Sequence, residues 1–110
     1  MNVSVRKVRD AAVVAVDGRL DALTAPDLEA ALRDLVDGGA AKVVLDLGDA
    51  VYVSSAGLRV MLVTAKGLKA KAGELRVCSL TEHVHEVFDI SGFTSLLDVY
   101  PTADEALAGF

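Results

Sequence analysis

The sequence contains few cysteine, proline and aromatic residues. These shortages limit the classes of fold and the cellular compartments that the chain fits. Cys78 is the only cysteine among 110 residues, so no disulfide can form within the chain. A single thiol is typical of a reducing compartment, and we expect Cys78 to be a small buried residue of a strand. With two prolines, no tryptophan and 25% charged residues, the composition fits one globular domain spanning residues 1–110.

Positive charge is also scarce, since 16 Asp and Glu outnumber 11 Lys and Arg and give a formal net charge of −5. Nucleic-acid-binding proteins present a basic surface to phosphates, so we expect no nucleic-acid partner. The longest apolar run, Ala11 to Val16, is far shorter than the roughly 20 residues that span a membrane. No basic stretch precedes an apolar block near Met1, so we expect no signal peptide, no membrane insertion and a cytoplasmic location.

The usual signatures of catalysis are missing as well. His83 and His85 are two residues apart on a predicted helix, so they point in different directions rather than towards one metal ion. The segment from Val53 to Gly57 matches only half of the G-x-S-x-G motif of hydrolases, and no glycine-rich phosphate-binding loop is present. We therefore expect no catalytic residue, no metal, no cofactor and no enzymatic activity.

Strand and helix patterns alternate along the chain. The strand patterns lie at 3–7, 11–16, 42–47, 75–80 and 96–100, and the first two are predicted to form a hairpin. Helical patterns begin after Thr24, after the serines at 54 and 55, at Thr81 and at Thr102. Strands separated by helices require crossover connections. The sequence therefore predicts an α/β domain, with a mixed sheet of four to five strands and about four helices packed against it.

Polar residues follow several of these predicted strands. Asp21 ends a predicted loop that begins at Gly18, Asp49 lies in a predicted short turn, and Ser54 and Ser55 precede the second helix. Function collects at the carboxyl ends of parallel strands, so we expect these side chains to meet at one edge of the sheet.

The two adjacent serines are the most informative part of this edge. One serine is enough to cap a helix, and on local chemistry alone the pair can be read as a cap, with Asp21 as a solvated turn residue. If Ser54 is the cap, the hydroxyl of Ser55 at the first helical position is not needed for the structure and points outward. A phosphate there would add up to two negative charges without disturbing a core. We interpret the protein as a binding module that is switched by phosphorylation of Ser55.

Three segments together carry a family resemblance. Gly18 to Asp21, Asp46-Leu47 and Tyr52 to Leu58, supported by the later stretch from Val84 to Phe93, resemble the STAS domain of bacterial anti-sigma factor antagonists. The resemblance implies that the unphosphorylated protein binds an anti-sigma factor that is also a serine kinase, which frees a sigma factor. The kinase phosphorylates the antagonist and so releases it, and a metal-dependent serine phosphatase resets the switch. It also implies that Ser55 is the acceptor and that Asp21 is the family's acidic loop residue.

The sequence departs from the family at one position, because many members carry Asp immediately before the acceptor and this chain has Ser54. Ser54 is therefore an alternative acceptor. The expected partner-binding surface contains Asp21, Val53, Ser54, Ser55, Gly57, Leu58 and Arg59. A second interpretation is a non-catalytic STAS subunit of a membrane lipid-transport ATPase, in which Ser55 packs against the ATPase and is not modified.

Overall fold

A five-stranded mixed sheet organises the molecule, which a computed structural model describes from residue 1 to residue 110. The strands, which lie in the sheet in chain order, are β1 (Asn2–Val8), β2 (Ala11–Leu20), β3 (Lys42–Val53), β4 (Glu74–Cys78) and β5 (Asp98–Tyr100). The helices are α1 (Ala25–Asp37), α2 (Ser55–Ala70), α3 (Glu82–Ser91) and α4 (Ala103–Leu107). β1 pairs with β2 antiparallel and the other pairs are parallel, so the predicted mixed sheet and hairpin are confirmed.

Two strands are longer than predicted. β2 continues through Gly18 to Leu20, where a loop was expected, and β3 continues to Val53, where a short turn was expected. The two strands stay paired in parallel to their ends, with register shifts near Asp17 and Gly18 that absorb the irregularity. Pairing over this length satisfies the backbone of both strands and outweighs the local turn signals, so β3 leads directly into Ser54.

The helix ends follow from local chemistry. Pro26 lies in the first turn of α1, where its missing N–H is not needed. The Thr81 hydroxyl caps α3 by accepting a hydrogen bond from the Val84 amide at 3.3 Å. Gly92 ends α3 in the left-handed conformation at φ 76°. The Thr102 hydroxyl caps α4 by accepting a hydrogen bond from the Glu105 amide at 3.1 Å.

The two faces of the sheet are covered unequally. On one face α1, α2 and α3 enclose a core of 20 buried residues, with Leu32, Met61 and Phe88 among its fully buried side chains. On the other face a smaller cluster of six buried residues includes Cys78 of β4 and Leu107 of α4. Cys78 is fully buried, as predicted, and burial raises the pKa of its thiol. No helix has the length and apolarity that a membrane crossing requires.

Candidate functional site

The candidate site forms where β2 and β3 end side by side. Leu20 and Val53 are the last paired residues, and the next amide, that of Ser54, donates a hydrogen bond to the Leu20 carbonyl at 2.8 Å. This bond brings the chain at Asp21 next to the two serines. Asp49 was expected at the same edge, but it lies inside β3 opposite Asp17, because β3 does not turn at that point.

Asp21 is held by its own loop. Its Oδ1 accepts hydrogen bonds from the amides of Leu23 at 3.0 Å and Thr24 at 3.2 Å. The Thr24 hydroxyl accepts from the Asp21 amide at 2.9 Å and donates to the Arg19 carbonyl at 2.7 Å. Thr24 therefore occupies the predicted cap position of α1, but its hydroxyl organises the loop and makes no hydrogen bond to the helix. The result is a fixed carboxylate beside the serine pair.

The charge of Asp21 is stabilised by these contacts. Partial desolvation, the largest single influence, raises the pKa of Asp21, but the amides of Leu23 and Thr24, the Thr24 hydroxyl and the Arg19 charge together lower it further. The pKa of this carboxyl is therefore below its ordinary value. Arg19 contributes from a distance, since its Nε lies 3.8 Å from the second carboxylate oxygen. Asp21 is ionised at neutral pH.

The two serines have different environments. Ser54 stands at the N-cap position of α2 with extended backbone angles (φ −92°, ψ 174°), but its hydroxyl makes no capping hydrogen bond. The Oγ atom of Ser54 is buried and has no hydrogen-bond partner. Ser55 is the first residue of α2 and is exposed. The interpretation of the pair as a hydroxyl cap is thus wrong, and Ser55 presents the accessible hydroxyl of the two.

The glycine that follows the serines lets α2 approach the sheet closely. A Cβ atom at Gly57 would lie 2.7 Å from Cγ of Leu20 and 3.3 Å from a methyl carbon of Val53. Real side chains do not tolerate such a distance, so only glycine permits this approach. The start of α2, and with it Ser55, is held directly against the end of β2.

Three residues of the expected partner surface face the core instead. Val53 is 2% exposed, Leu58 is 5% exposed and Gly57 is buried. In this structure the three residues offer little surface to a partner, because Val53 points inward from β3 and the other two lie on the inner side of α2, and their contact with a partner stays a prediction. Ser54 is half-buried, and its Oγ atom is not accessible to a partner. Asp21, Ser55 and Arg59 are accessible. The partner-binding role of the accessible residues stays a prediction.

Two exposed apolar residues at this edge were not found from the sequence. Leu23, in the loop that Asp21 organises, is 89% exposed, and Val51, near the end of β3, is 65% exposed. The exposure of Val51 could be predicted from the alternation of inward and outward side chains along β3, but only if the strand were known to continue past Leu47. Leu23 has no such signal, since its side chain is turned outward by the hydrogen bonds of its loop.

A cleft of about 660 Å³ opens beside Ser55 between α1 and α2. Its lining contains both helices and the loop before α1: Ala22, Ala25, Pro26, Glu29, Ser55, Ala56, Arg59, Val60 and Val63. Val63 is a further exposed apolar residue. The cleft gives a partner a partly apolar surface, with Ser55 and the charged Glu29 and Arg59 on its walls.

The two histidines contact different neighbours. The ring of His83 stacks on Tyr52 with 6.4 Å between centroids, and the Arg19 guanidinium lies 4.3 Å from the centroid of Tyr52. The Nδ1 atom of His85 lies 3.1 Å from an oxygen of Asp89. The two rings are engaged separately, and no group of three or more potential ligands could hold a metal ion.

Comparison with known proteins gives a consistent result. BtrV of Bordetella bronchiseptica, a proposed anti-sigma factor antagonist, is 44% identical over 110 residues, which covers 100% of this chain and 95% of BtrV. The anti-sigma-B factor antagonist of Bacillus subtilis is 32% identical over 99 residues, 90% of each chain. The crystal structure of an anti-sigma factor antagonist from Mycobacterium paratuberculosis, 28% identical, has a TM-score of 0.90 over 96% of this chain and 90% of that one. Residues 2–106 match the STAS domain, and the chain therefore belongs to the STAS domain family.

Proposed function

We propose that the protein is an anti-sigma factor antagonist that works by partner switching in the cytoplasm. Its unphosphorylated form binds an anti-sigma factor that is also a serine kinase, and phosphorylation at Ser55 releases it. The observation that carries the proposal is the exposed hydroxyl of Ser55 at the start of α2, next to a loop-held, ionised Asp21. The names of the relatives support the same role.

The surface around Ser55 suits a reversible protein contact. Leu23 and Val51 are exposed apolar side chains on the segments that lead to and from the ends of β2 and β3, and Val63 lines the same cleft as Ser55. Apolar residues on a contact surface allow a partner to exclude water from the Ser55 hydroxyl. A phosphate placed in such a desolvated contact could cost several kcal/mol, which is enough to change the affinity by orders of magnitude.

The covalent step is simple in this proposal. The Oγ of Ser55 attacks the γ-phosphorus of ATP held by the kinase, the hydroxyl proton leaves to a base of the kinase, and ADP is the leaving group. A metal-dependent serine phosphatase then hydrolyses the phosphoester and restores the hydroxyl. Asp21 adds a fixed negative charge next to the acceptor, which would repel an attached phosphate and increase the difference between the two states. This chain supplies the acceptor and no catalytic group.

Ser55→Ala and Ser55→Asp test the proposal. We expect Ser55→Ala to stay bound to its kinase partner when ATP is present, and Ser55→Asp to bind poorly. Intact-mass measurement after incubation with the kinase and ATP should show one phosphoryl group on the wild type and none on Ser55→Ala.

Ser54→Ala is the matched control, because it removes a buried hydroxyl that has no hydrogen-bond partner. It should accept one phosphoryl group as the wild type does. Absence of phosphate on the wild type, or a phosphate that persists in Ser55→Ala, would contradict the proposal. Co-purification with an ATPase that has membrane subunits, without any modification, would instead favour a transport-complex subunit.

A further inference from the structure

Arg59 lies one helical turn after Ser55 on the same helix. Side chains four residues apart share a face of a helix, and Ser55 and Arg59 both line the cleft between α1 and α2. Arg59 is exposed. A group attached to the Ser55 hydroxyl and the guanidinium of Arg59 are therefore neighbours on one surface.

No negative partner occupies the Arg59 guanidinium. The acidic residue of the cleft, Glu29, is bound by Arg33, whose Nη2 lies 3.1 Å from Oε1 of Glu29. Arg59 forms none of the ion pairs in the structure. The first turn of α2 also contains no acidic residue, so no side chain of the helix itself offsets the positive end of its dipole.

We propose that Arg59 is the intramolecular receptor for the phosphate on Ser55. The inference rests on the proposed function, in which Ser55 is the acceptor. An anion at the first residue of a helix with a cation four residues later is the favourable order, because both the ion pair and the dipole then stabilise the charge. The guanidinium also offers two parallel donors to phosphate oxygens.

The pairing gives phosphorylation a second effect on the surface. In the unphosphorylated protein the Arg59 guanidinium is free to contact an acidic group of the partner. In the phosphorylated protein it is bound to the phosphate of its own chain. Phosphorylation therefore adds negative charge and at the same time withdraws a cation from the proposed contact surface.

The experiment is a phosphorus NMR titration of the full chain with phosphoserine incorporated at position 55 during synthesis. An unperturbed phosphoserine has a second pKa of about 6. We expect a lower value in the wild-type background, and a rise of about half a unit or more in Arg59→Ala, because a nearby cation favours the dianion. Arg59→Lys should retain part of the effect, since it keeps the charge and loses the paired donors.

Lys42→Ala is the control, because it removes a cation that is paired with Asp10 at the end of β3 remote from Ser55. It should leave the phosphoserine pKa unchanged. Equal pKa values in the wild type and Arg59→Ala, with circular dichroism showing both folded, would overturn the inference. Because the phosphoserine is incorporated without a kinase, this result is independent of whether a kinase modifies Ser55, which the intact-mass measurement tests separately.

Discussion

At the scale of single residues, Gly57 determines how closely α2 approaches the sheet. Replacing it with alanine would force the new Cβ against Leu20, at 2.7 Å in the present geometry. We expect Gly57→Ala to lower the free energy of unfolding by about 1–3 kcal/mol, the usual effect of overpacking. Urea denaturation measures this value, and a weaker partner contact should accompany it because the start of α2 carries Ser55.

Gly67 provides the control for this prediction within the same helix. A Cβ atom there would meet no atom within 4 Å, so Gly67→Ala should raise the free energy of unfolding by about 0.5–1 kcal/mol through helix propensity alone. If both substitutions changed the stability in the same direction, close packing against Leu20 would not be the reason for the glycine at position 57.

Asp21 should make the stability of the fold depend on pH. Its pKa is lower in the folded protein than its ordinary value, so its ionised form stabilises the fold at neutral pH. This contribution is complete above the unfolded-state pKa of about 4 and is lost as the pH falls through the folded-state pKa. Asp21→Asn should therefore be less stable than the wild type at pH 7, and the two should converge at acidic pH.

Urea midpoints measured from pH 7 down to acidic pH test this expectation. Asp10→Asn is a useful comparison, because the pKa of Asp10 is also lowered, chiefly by its hydrogen bond to Lys42, on a different part of the surface. A stability difference between wild type and Asp21→Asn that did not depend on pH would mean that the loop geometry, and not the charge, is what Asp21 supplies.

At the scale of elements, α4 depends on one arginine of β4. Nη1 of Arg76 donates hydrogen bonds to the carbonyls of Ala106 at 2.9 Å and Ala108 at 3.0 Å. Its Nε donates to Glu74 at 2.8 Å, and the guanidinium lies 4.1 Å from the centroid of the Phe110 ring. A helix of five residues has little stability of its own, so these contacts fix it to the sheet.

Arg76→Ala should therefore loosen α4 and expose the residue beneath it. Cys78 is buried in the cluster that Leu107 closes, and it is the only thiol. Loss of charge-assisted hydrogen bonds of about 2 kcal/mol would raise the reaction rate of Cys78 with a disulfide reagent by about tenfold or more. Lys42→Ala, which breaks an exposed ion pair with Asp10, should leave the rate nearly unchanged. An unaltered rate in Arg76→Ala would show that α4 is held by apolar packing alone.

At the scale of the whole molecule, the alternation of patterns was sufficient to predict the architecture. The mixed sheet, the opening hairpin and the four helices follow from residues that act locally, such as Thr81 and Thr102 at helix starts and Gly92 at a helix end. Strand length was not predictable in this way. Gly18 and Gly48 favour turns locally, but β2 and β3 extend through them because each supplies the other's hydrogen bonds.

The sequence by itself determined the order of elements, the family resemblance and the position of the serine pair at the start of a helix, since these depend on patterns within a few residues. Only the tertiary structure decided which of those side chains are accessible. It buries Val53, Leu58 and the Oγ of Ser54 and leaves Ser55 exposed. The physical reason is that burial depends on contacts between β2, β3 and α2. Patterns within a few residues do not show how closely these separate segments pack against each other.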